Sequence, residues 1–291
     1  MKWGIPCPID ENYTIYVWFD ALLNYLSGVG YLYDNNTFEK YWPVDVQLIG
    51  KDIMRFHNII WPAILMSLQL PLPKTIFAHG WWTMSKEKIS KSKGNVISPD
   101  DFINEYGVDP FRYFIMREIP FGLDGEYSAI TFKKRYNSDL VNDFGNLLNR
   151  TLNLIEKNFN GIIPDSSSEE EITNLTDEVF ENYSKKMKEI SFSEGIEEIW
   201  KLINYLNKYL DIKAPWRQTC EKPEKVIYSV VEGIKNVSLM LSPIIPETIK
   251  RVFQMIGIEN KINKENFSSI KERIPCGIKT GKREVLYIRK K

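Results

Sequence analysis

The clearest chemical potential in this chain lies in a stretch rich in lysine and serine. It reads Lys88-Ile89-Ser90-Lys91-Ser92, followed by Lys93. A predicted strand at 75–78 precedes it, and ligands of α/β sheets bind beyond the carboxyl ends of strands. Ammonium and hydroxyl groups placed there could neutralise the charge that develops on a phosphate during its transfer. Charge runs are also common on solvated surfaces, and composition alone favours that plainer interpretation.

Strands that alternate with helices must position this loop. The pattern predicts strands at 13–19, 44–49 and 75–78, a helix capped by Asp20 that stops at Gly28 and Gly30, and a helix over 53–68 kinked at Pro62. Residues 84–95 lack periodicity and are predicted to form a loop. We therefore expect an α/β fold with a partial, Rossmann-like parallel sheet.

Helical patterns follow without further strands. One long helix is predicted over 128–160, then a polar linker at 164–171, and further helices over 196–214, 223–242 and 246–257. This half reads as an all-α bundle. We expect a first domain at 1–122, a helical domain at 123–260, and a tail at 261–291 of uncertain structure.

The bulk composition excludes some classes of protein. No apolar run is long enough to span a bilayer and no signal core is present, so we expect a soluble, cytoplasmic protein without a membrane partner. The 38 basic and 38 acidic residues balance, which neither supports nor excludes an RNA partner. The 3 cysteines are widely spaced and form no C-x-x-C pair, so no zinc site is expected.

The lysine loop resembles the KMSKS signature of class I aminoacyl-tRNA synthetases, with Ile89 in place of the usual methionine. Other segments are similar, in family order, to methionyl-tRNA synthetases, and the resemblance covers about residues 3–220. These segments are Gly4-Ile5-Pro6, the stretch 16–21, Gly50-Lys51-Asp52-Ile53, Arg55-Phe56-His57, Trp61-Pro62-Ala63, His79-Gly80-Trp81-Trp82, Gly107-Val108-Asp109, the stretch 139–150, and Ala214-Pro215-Trp216.

The resemblance implies a ligase that uses ATP with Mg²⁺ to activate L-methionine and then transfers the methionyl group to tRNA(Met). It implies that the catalytic loop residues are Lys88, Ser90, Lys91 and Ser92. Lys88 and Lys91 would also contact ATP, together with Gly50 and Asp52 near the adenosine. A glycine permits close backbone approach and a carboxylate suits a ribose hydroxyl, although Gly50-Lys51-Asp52 is also a reasonable turn with Asp52 as a helix cap.

The resemblance also implies a pocket for the methionine side chain. The matching residues are Trp18, Ala21, Tyr25, His57 and Trp61. Aromatic walls suit a polarizable thioether, and a histidine or tyrosine supplies one weak polar contact. Judged singly, each aromatic residue is more often simply part of a core.

In the helical half, Asn146 and Arg150 are spaced i, i+4 and share one helix face, and Trp216 follows Pro215 at a helix end. The resemblance implies that these three residues read the CAU anticodon, the amide and guanidinium by hydrogen bonds and the indole by stacking. Without it, a solvated asparagine, a surface ion pair and a hydrophobic cap are the simpler interpretations.

One family signature is missing. The 2 histidines, His57 and His79, are isolated, so an H-I-G-H motif is not present in these residues. We expect that motif to lie in an N-terminal catalytic half, on the same or a separate polypeptide, and this chain alone to form methionyl-adenylate poorly. A non-catalytic tRNA anticodon-binding module is the alternative. A class I synthetase for leucine, isoleucine, valine or cysteine fits less well, because of Ala214-Pro215-Trp216 and the many tryptophans.

Overall fold

The computed structural model describes residues 3–84, 87–88, 99–259, 267–275 and 277–290. Two compact units are present: Met1–Trp82 with Gly122–Gly125, and Thr83–Phe121 with Glu126–Lys291. No helix in the described ranges combines the length and apolar character that a bilayer crossing requires.

The first unit is built around two parallel strands and the helical segments beside them. Its elements are α1 (Val17–Ser27), α2 (Asn35–Tyr41), β1 (Val46–Gly50), a 3-10 turn (Lys51–Ile53), a π-helical turn (Phe56–Ile60), α3 (Trp61–Ser67) and β2 (Thr75–His79). The strands pair in parallel, with Val46 opposite Thr75 and Gly50 opposite His79. The fold is therefore the predicted α/β type with a small parallel sheet.

The predicted strand at 13–19 is wrong. Helix α1 begins at Val17, and before it only Thr14 forms an isolated bridge, with Pro6. Asp20 does not cap the helix; it lies in the first turn, where its carboxylate favours the positive end of the helix dipole. Gly28 does follow the last helical residue, as predicted.

Apolar residues recur at helical spacing on α1 and α3, and this explains where the core of the first unit forms. Leu22 and Leu26 of α1 are buried against Trp61 and Leu65 of α3, and Trp42 completes the cluster. The indole N–H of Trp42 donates to the Pro71 carbonyl at 3.0 Å, so its one polar group is satisfied.

The helical run over 51–67 is less uniform than its apolar spacing predicted. It passes from a 3-10 turn to a π turn and only then to α3. Pro62 lies in the first turn of α3 and has no N–H to donate backwards, which accounts for a change of hydrogen-bond pattern immediately before it. The Trp61 N–H donates to the Phe56 carbonyl, five residues earlier.

The second unit is mainly helical. Its helices are α4 (Pro99–Tyr106), α5 (Val108–Arg117), α6 (Ala129–Arg135), a π-helical stretch (Tyr136–Gly145), α7 (Asn146–Phe159), α8 (Glu170–Lys188), α9 (Phe192–Lys213), α10 (Pro223–Leu241) and α11 (Pro246–Ile256). Helix α10 buries side chains on every face, from Val226 to Leu241, which makes it the centre of the bundle.

Short strands form at the predicted loop and at the start of the predicted helical domain, where no further strand was expected. The chain forms β3 (Trp82–Met84), β4 (Glu87–Lys88) and β5 (Gly125–Glu126). β3 and β4 pair antiparallel, so Met84, Glu87 and Lys88 of the predicted loop at 84–95 are strand residues, while residues 85–86 and 89–95 lie outside the described residues. The predicted linker at 164–171 ends earlier than expected, because Glu170 and Glu171 form the first turn of α8.

The tail packs against the helices of the second unit. A short 3-10 helix, Phe267–Lys271, precedes a segment of irregular structure in which Leu286 and Tyr287 are buried. The Tyr287 hydroxyl lies 2.8 Å from the Thr248 hydroxyl, and the Tyr136 hydroxyl donates to the Ile288 carbonyl at 3.0 Å. Both the described tail and the helices therefore contribute to one core.

Candidate functional site

The carboxyl end of β1 places two of the predicted nucleotide-binding residues together. Gly50 is the last residue of the strand, and Asp52 is in the 3-10 turn that follows. A Cβ on Gly50 would lie 2.7 Å from Asp52 Oδ1. The absent side chain thus makes room for this carboxylate at the end of the sheet, the edge at which α/β proteins bind ligands.

Four of the five residues predicted for the methionine pocket form one ring cluster in the first unit. The Trp18 and His57 rings lie 5.8 Å apart, Tyr25 and His57 5.7 Å apart, and Tyr25 and Trp61 5.7 Å apart. The first two ring pairs meet edge to face, an arrangement that aromatic quadrupoles favour. Ala21 lies between Trp18 and Tyr25 on α1 and is exposed.

A hydrogen-bonded chain orients the polar groups of this cluster. The Tyr25 hydroxyl lies 3.0 Å from His57 Nε2, and His57 Nδ1 lies 3.0 Å from the Ile53 carbonyl oxygen. His57 is 1% exposed and Tyr25 is 38% exposed, so this series of hydrogen bonds extends from the interior to the surface. The Trp18 and Trp61 rings, which lie beside His57 and Tyr25, can bind an apolar, polarizable group.

The sequence interpretation missed Phe56. Its ring stacks on Trp18, with centroids 4.4 Å apart and planes 9° apart, and it also contacts Tyr16. The sequence predicts only that Phe56 lies in a regular helix over 53–68. The π turn that begins at Phe56 places its ring against Trp18. No pattern of residue types predicts such a turn.

Trp61 belongs as much to the core as to the cluster. It is fully buried and packs edge to face on Trp42 at 5.9 Å. Within the described part of the chain, its indole N–H has no hydrogen-bond partner. The plain core interpretation and the pocket interpretation both apply to this residue.

The structure gives only the start of the lysine loop. Lys88 lies on β4, with its main chain opposite Thr83. The other predicted catalytic residues, Ser90, Lys91 and Ser92, lie outside the described residues.

The second unit brings together two of the three residues predicted to read the anticodon. The Arg150 guanidinium lies 5.7 Å from the centroid of the Trp216 ring. Arg150 also donates to Asp211 at 2.5 Å. Trp216 is 47% exposed, so one stacking face remains accessible.

Asn146 begins α7 and lies one turn before Arg150 on the same helix. It is exposed, and it lines a groove of about 570 Å³ together with Asn142 and Asn149. Asparagine side chains offer both donors and acceptors, which suits recognition of base edges.

The described residues do not provide a metal site. No group of three or more histidine, cysteine, aspartate or glutamate side chains lies close enough to hold an ion. Cys7 and Cys220 are free thiols.

Two families match the chain. The model of the class I tRNA synthetases (M) matches residues 1–152, and that of the anticodon-binding domain of tRNA ligase matches residues 169–288. The chain belongs to the class I methionyl-tRNA synthetase family. Within this family, the ring cluster and the end of β1 fall in the synthetase match, and α8 to α11 fall in the anticodon-binding match.

Several relatives in this family are closely similar. The methionine–tRNA ligase of Caldanaerobacter subterraneus subsp. tengcongensis is 47% identical over 266 residues, which cover 88% of this chain and 42% of the relative. That of Thermotoga maritima is 44% identical over 92% of this chain and 44% of the relative. The chain therefore spans less than half the length of these methionine–tRNA ligases.

Solved structures of the family agree with the fold. Mycobacterium tuberculosis methionyl-tRNA synthetase in complex with methionyl-adenylate superposes with a TM-score of 0.90 at 34% identity, over 99% of this chain and 59% of that one. The apo form of the same protein gives a TM-score of 0.87 at 31% identity.

Proposed function

We propose that this chain supplies the second half of the catalytic domain (1–122) and the anticodon-binding domain (123–260) of a methionine–tRNA ligase. The reaction is ATP-dependent activation of L-methionine, followed by transfer of the methionyl group to tRNA(Met). The observation that carries the proposal is that the ring cluster of Trp18, Tyr25, His57 and Trp61, with Phe56 stacked on Trp18, lies in the same compact unit as Gly50 and Asp52.

The methionine side chain would bind against this cluster. The stacked pair of Trp18 and Phe56 offers an apolar wall, and the Tyr25 hydroxyl offers a polar one. Ala21, exposed on the same face of α1, leaves room that a larger side chain would fill. Trp61 is the member of the cluster that is fully buried in the core.

In the activation step, a methionine carboxylate oxygen attacks the α-phosphorus of ATP. The new P–O bond forms as the bond to the β-phosphate oxygen breaks, and pyrophosphate leaves with the electron pair. Gly50 and Asp52 would hold the adenosine, while Lys88 and Lys91, with the hydroxyls of Ser90 and Ser92, would neutralise the developing charge. ATP would enter with Mg²⁺, which shields the phosphates.

We infer that a further strand-bearing segment is the partner of this small sheet. Within the described residues, β1 and β2 pair only with each other. Val46 is 41% and Leu48 53% exposed on one face of β1, although a strand in such a sheet is normally covered on both faces. We assign that cover to the N-terminal catalytic half, on the same or a separate polypeptide.

The test is methionine-dependent ATP–pyrophosphate exchange, with this chain alone and with the N-terminal half added. We expect exchange only in the combined preparation. Lys91→Ala should then lower the rate by about 100-fold or more, in line with loss of an electrostatic contact in the transition state. Lys185→Ala, which removes an exposed lysine of α8, is the matched control and should leave the rate unchanged.

A second function has its own support, because α8 to α11 match an anticodon-binding domain. If neither preparation shows exchange while the chain still binds tRNA(Met), the non-catalytic tRNA-binding module replaces the ligase. Strong exchange by the chain alone would contradict the requirement for a partner half.

A further inference from the structure

The Lys51 ammonium group is held between a carboxylate and an indole ring. Nζ lies 2.7 Å from Oδ1 and 2.5 Å from Oδ2 of Asp124, and 4.4 Å from the centroid of the Trp81 ring. An ammonium bound by both oxygens of a carboxylate and by a π face is confined to one position. Lys51 directly follows the last residue of β1 and directly precedes Asp52.

The same carboxylate also binds main chain. The Trp81 N–H donates to Asp124 Oδ1 at 2.8 Å, and the Gly125 N–H donates to the Trp81 carbonyl at 2.9 Å. Trp81 lies two residues beyond His79, the last residue of β2. One side chain, Asp124, thus connects the segments that leave both strands.

The main chain beside Asp124 is closely packed against Gly80. A Cβ on Gly80 would lie 2.3 Å from the carbonyl carbon and oxygen of Leu123. Only glycine allows the two main chains to cross this closely. The carboxylate is therefore presented by a fixed backbone and not by a free loop.

A second ion pair on the same two strands provides a contrast. Lys74 and Asp45 precede β2 and β1, and their charged groups lie 2.6 Å apart at the amino ends of the strands. Their side chains are 65% and 82% exposed, against 37% and 46% for Lys51 and Asp124. The more enclosed pair stands at the carboxyl ends, where sheets of this type bind ligands.

We propose that Asp124 is a positioning residue for the nucleotide. By holding Lys51 and the Trp81 amide, it fixes the end of β1, so that Gly50 and Asp52 keep the geometry that adenosine requires. Lys51 has a structural role in this proposal, because both carboxylate oxygens of Asp124 already bind its ammonium group. This inference rests on the proposed ligase function and adds a residue to its ATP site.

The test measures exchange by the chain combined with the N-terminal half, with ATP and methionine varied in turn. Asp124→Asn should raise the KM for ATP about tenfold, as loss of a positioning contact predicts, and leave the KM for methionine within about twofold. Lys51→Met should give the same result, and the double variant should add nothing further, because both changes remove one interaction. Asp124→Glu should restore part of the ATP affinity.

Asp45→Asn is the matched control, since it breaks the ion pair at the opposite ends of the same strands, and both KM values should stay at the wild-type level. An unchanged KM for ATP in Asp124→Asn and Lys51→Met, with an active wild type, would overturn the inference alone. An equal rise in both KM values with a lowered melting temperature would also overturn it, since that is the signature of a general structural defect. An inactive wild-type combination would contradict the proposed function, and this inference with it.

If Asp124→Asn fails to fold, Lys51→Met still tests the inference, because it leaves the hydrogen bond from the Trp81 N–H to Asp124 intact.

Discussion

The Tyr25 hydroxyl donates a hydrogen bond to Nε2 of His57, over 3.0 Å. The direction follows from the other ring nitrogen, because Nδ1 lies 3.0 Å from the Ile53 carbonyl oxygen, which can only accept. A neutral imidazole that donates from Nδ1 must accept at Nε2. The Tyr25 oxygen therefore keeps its lone pairs for a further donor.

Tyr25→Phe removes this donor and leaves a buried ring nitrogen without its partner. We expect a loss of about 1 kcal/mol in methionine binding, which is about a fivefold rise in the KM for methionine. The KM for ATP should not change. The dependence of ATP–pyrophosphate exchange on methionine concentration, in the combined preparation, measures both values.

Tyr33→Phe is a suitable control for this change. Its hydroxyl donates to the Ser27 carbonyl on the surface of the same unit, and Tyr33 is 73% exposed. It also loses a hydroxyl, so it should leave both KM values unaltered. A wild-type KM for methionine in Tyr25→Phe would show that the ring cluster does not contact the substrate.

Trp216 presents an accessible stacking face beside Arg150. Trp216→Ala should weaken binding of an anticodon stem-loop by about 1–3 kcal/mol, or about 5- to 150-fold, which is typical of one lost base–aromatic stack. Trp216→Phe should recover much of the affinity. Fluorescence anisotropy with labelled stem-loop RNA measures the change.

Ile212→Ala offers a matched loss of exposed apolar surface, because Ile212 is 68% exposed near the end of α9. Its RNA affinity should equal that of the wild type. Equal weakening by both substitutions would assign the effect of Trp216 to general surface loss.

The pKa of Asp143 is raised above its ordinary value of 3.8, first by burial, with the nearby Asp139 adding to the effect, while the hydrogen bond from Trp200 lowers it. The ionised form is thus disfavoured in the folded state. The stability that this group contributes is full below 3.8 and is lost as the pH rises through the raised folded value.

Asp143→Asn should therefore gain stability relative to the wild type as the pH is raised. The amide oxygen can still accept the Trp200 indole N–H, whose distance to Oδ2 is 3.2 Å. Urea unfolding at about pH 3 and at about pH 7 would reveal the difference. Glu178→Gln on the exposed surface of α8 should show no such trend, and a constant difference for Asp143→Asn at both pH values would contradict the assignment.

Gly80 has no room for a side chain, because the Leu123 main chain crosses it. Gly80→Ala should lower the unfolding free energy by about 1–3 kcal/mol, as overpacking generally does. Thermal denaturation followed by circular dichroism checks this. Gly28→Ala is the comparison, because the φ of Gly28, −63°, suits any residue. A new Cβ there would lie 3.0 Å from the Asn24 carbonyl oxygen, against 2.3 Å from the Leu123 main chain at Gly80.

The sequence predicted the order of the fold, an α/β part and then a helical bundle, because hydrophobic periodicity differs between the two. It failed at 13–19, where aromatic and β-branched residues have high strand propensity in isolation. In the folded chain, Val17 and Trp18 begin α1, and the Trp18 ring is stacked on Phe56. Tertiary contacts outweighed the local preference.

The candidate site was only partly predictable. The family resemblance named the aromatic residues, but spacing alone could not separate a pocket from a core, and Trp61 belongs to both. Phe56 fell within the regular helix predicted over 53–68, so its stacking on Trp18 was not expected. Lys51 and Asp124 are 73 positions apart, and no local pattern connects residues at such a separation.

The π turn at Phe56–Ile60 makes the ring cluster sensitive to chain length. Such a turn accommodates one residue more than an α-helical turn does. Deleting Asn58 would let the run close into a regular α-helix, and everything before it would rotate by about 100° relative to α3. Phe56 would then leave the Trp18 ring while Trp61 stayed in the core. The one extra residue in the π turn thus fixes the rotation about the helix axis between the residues before it and those of α3.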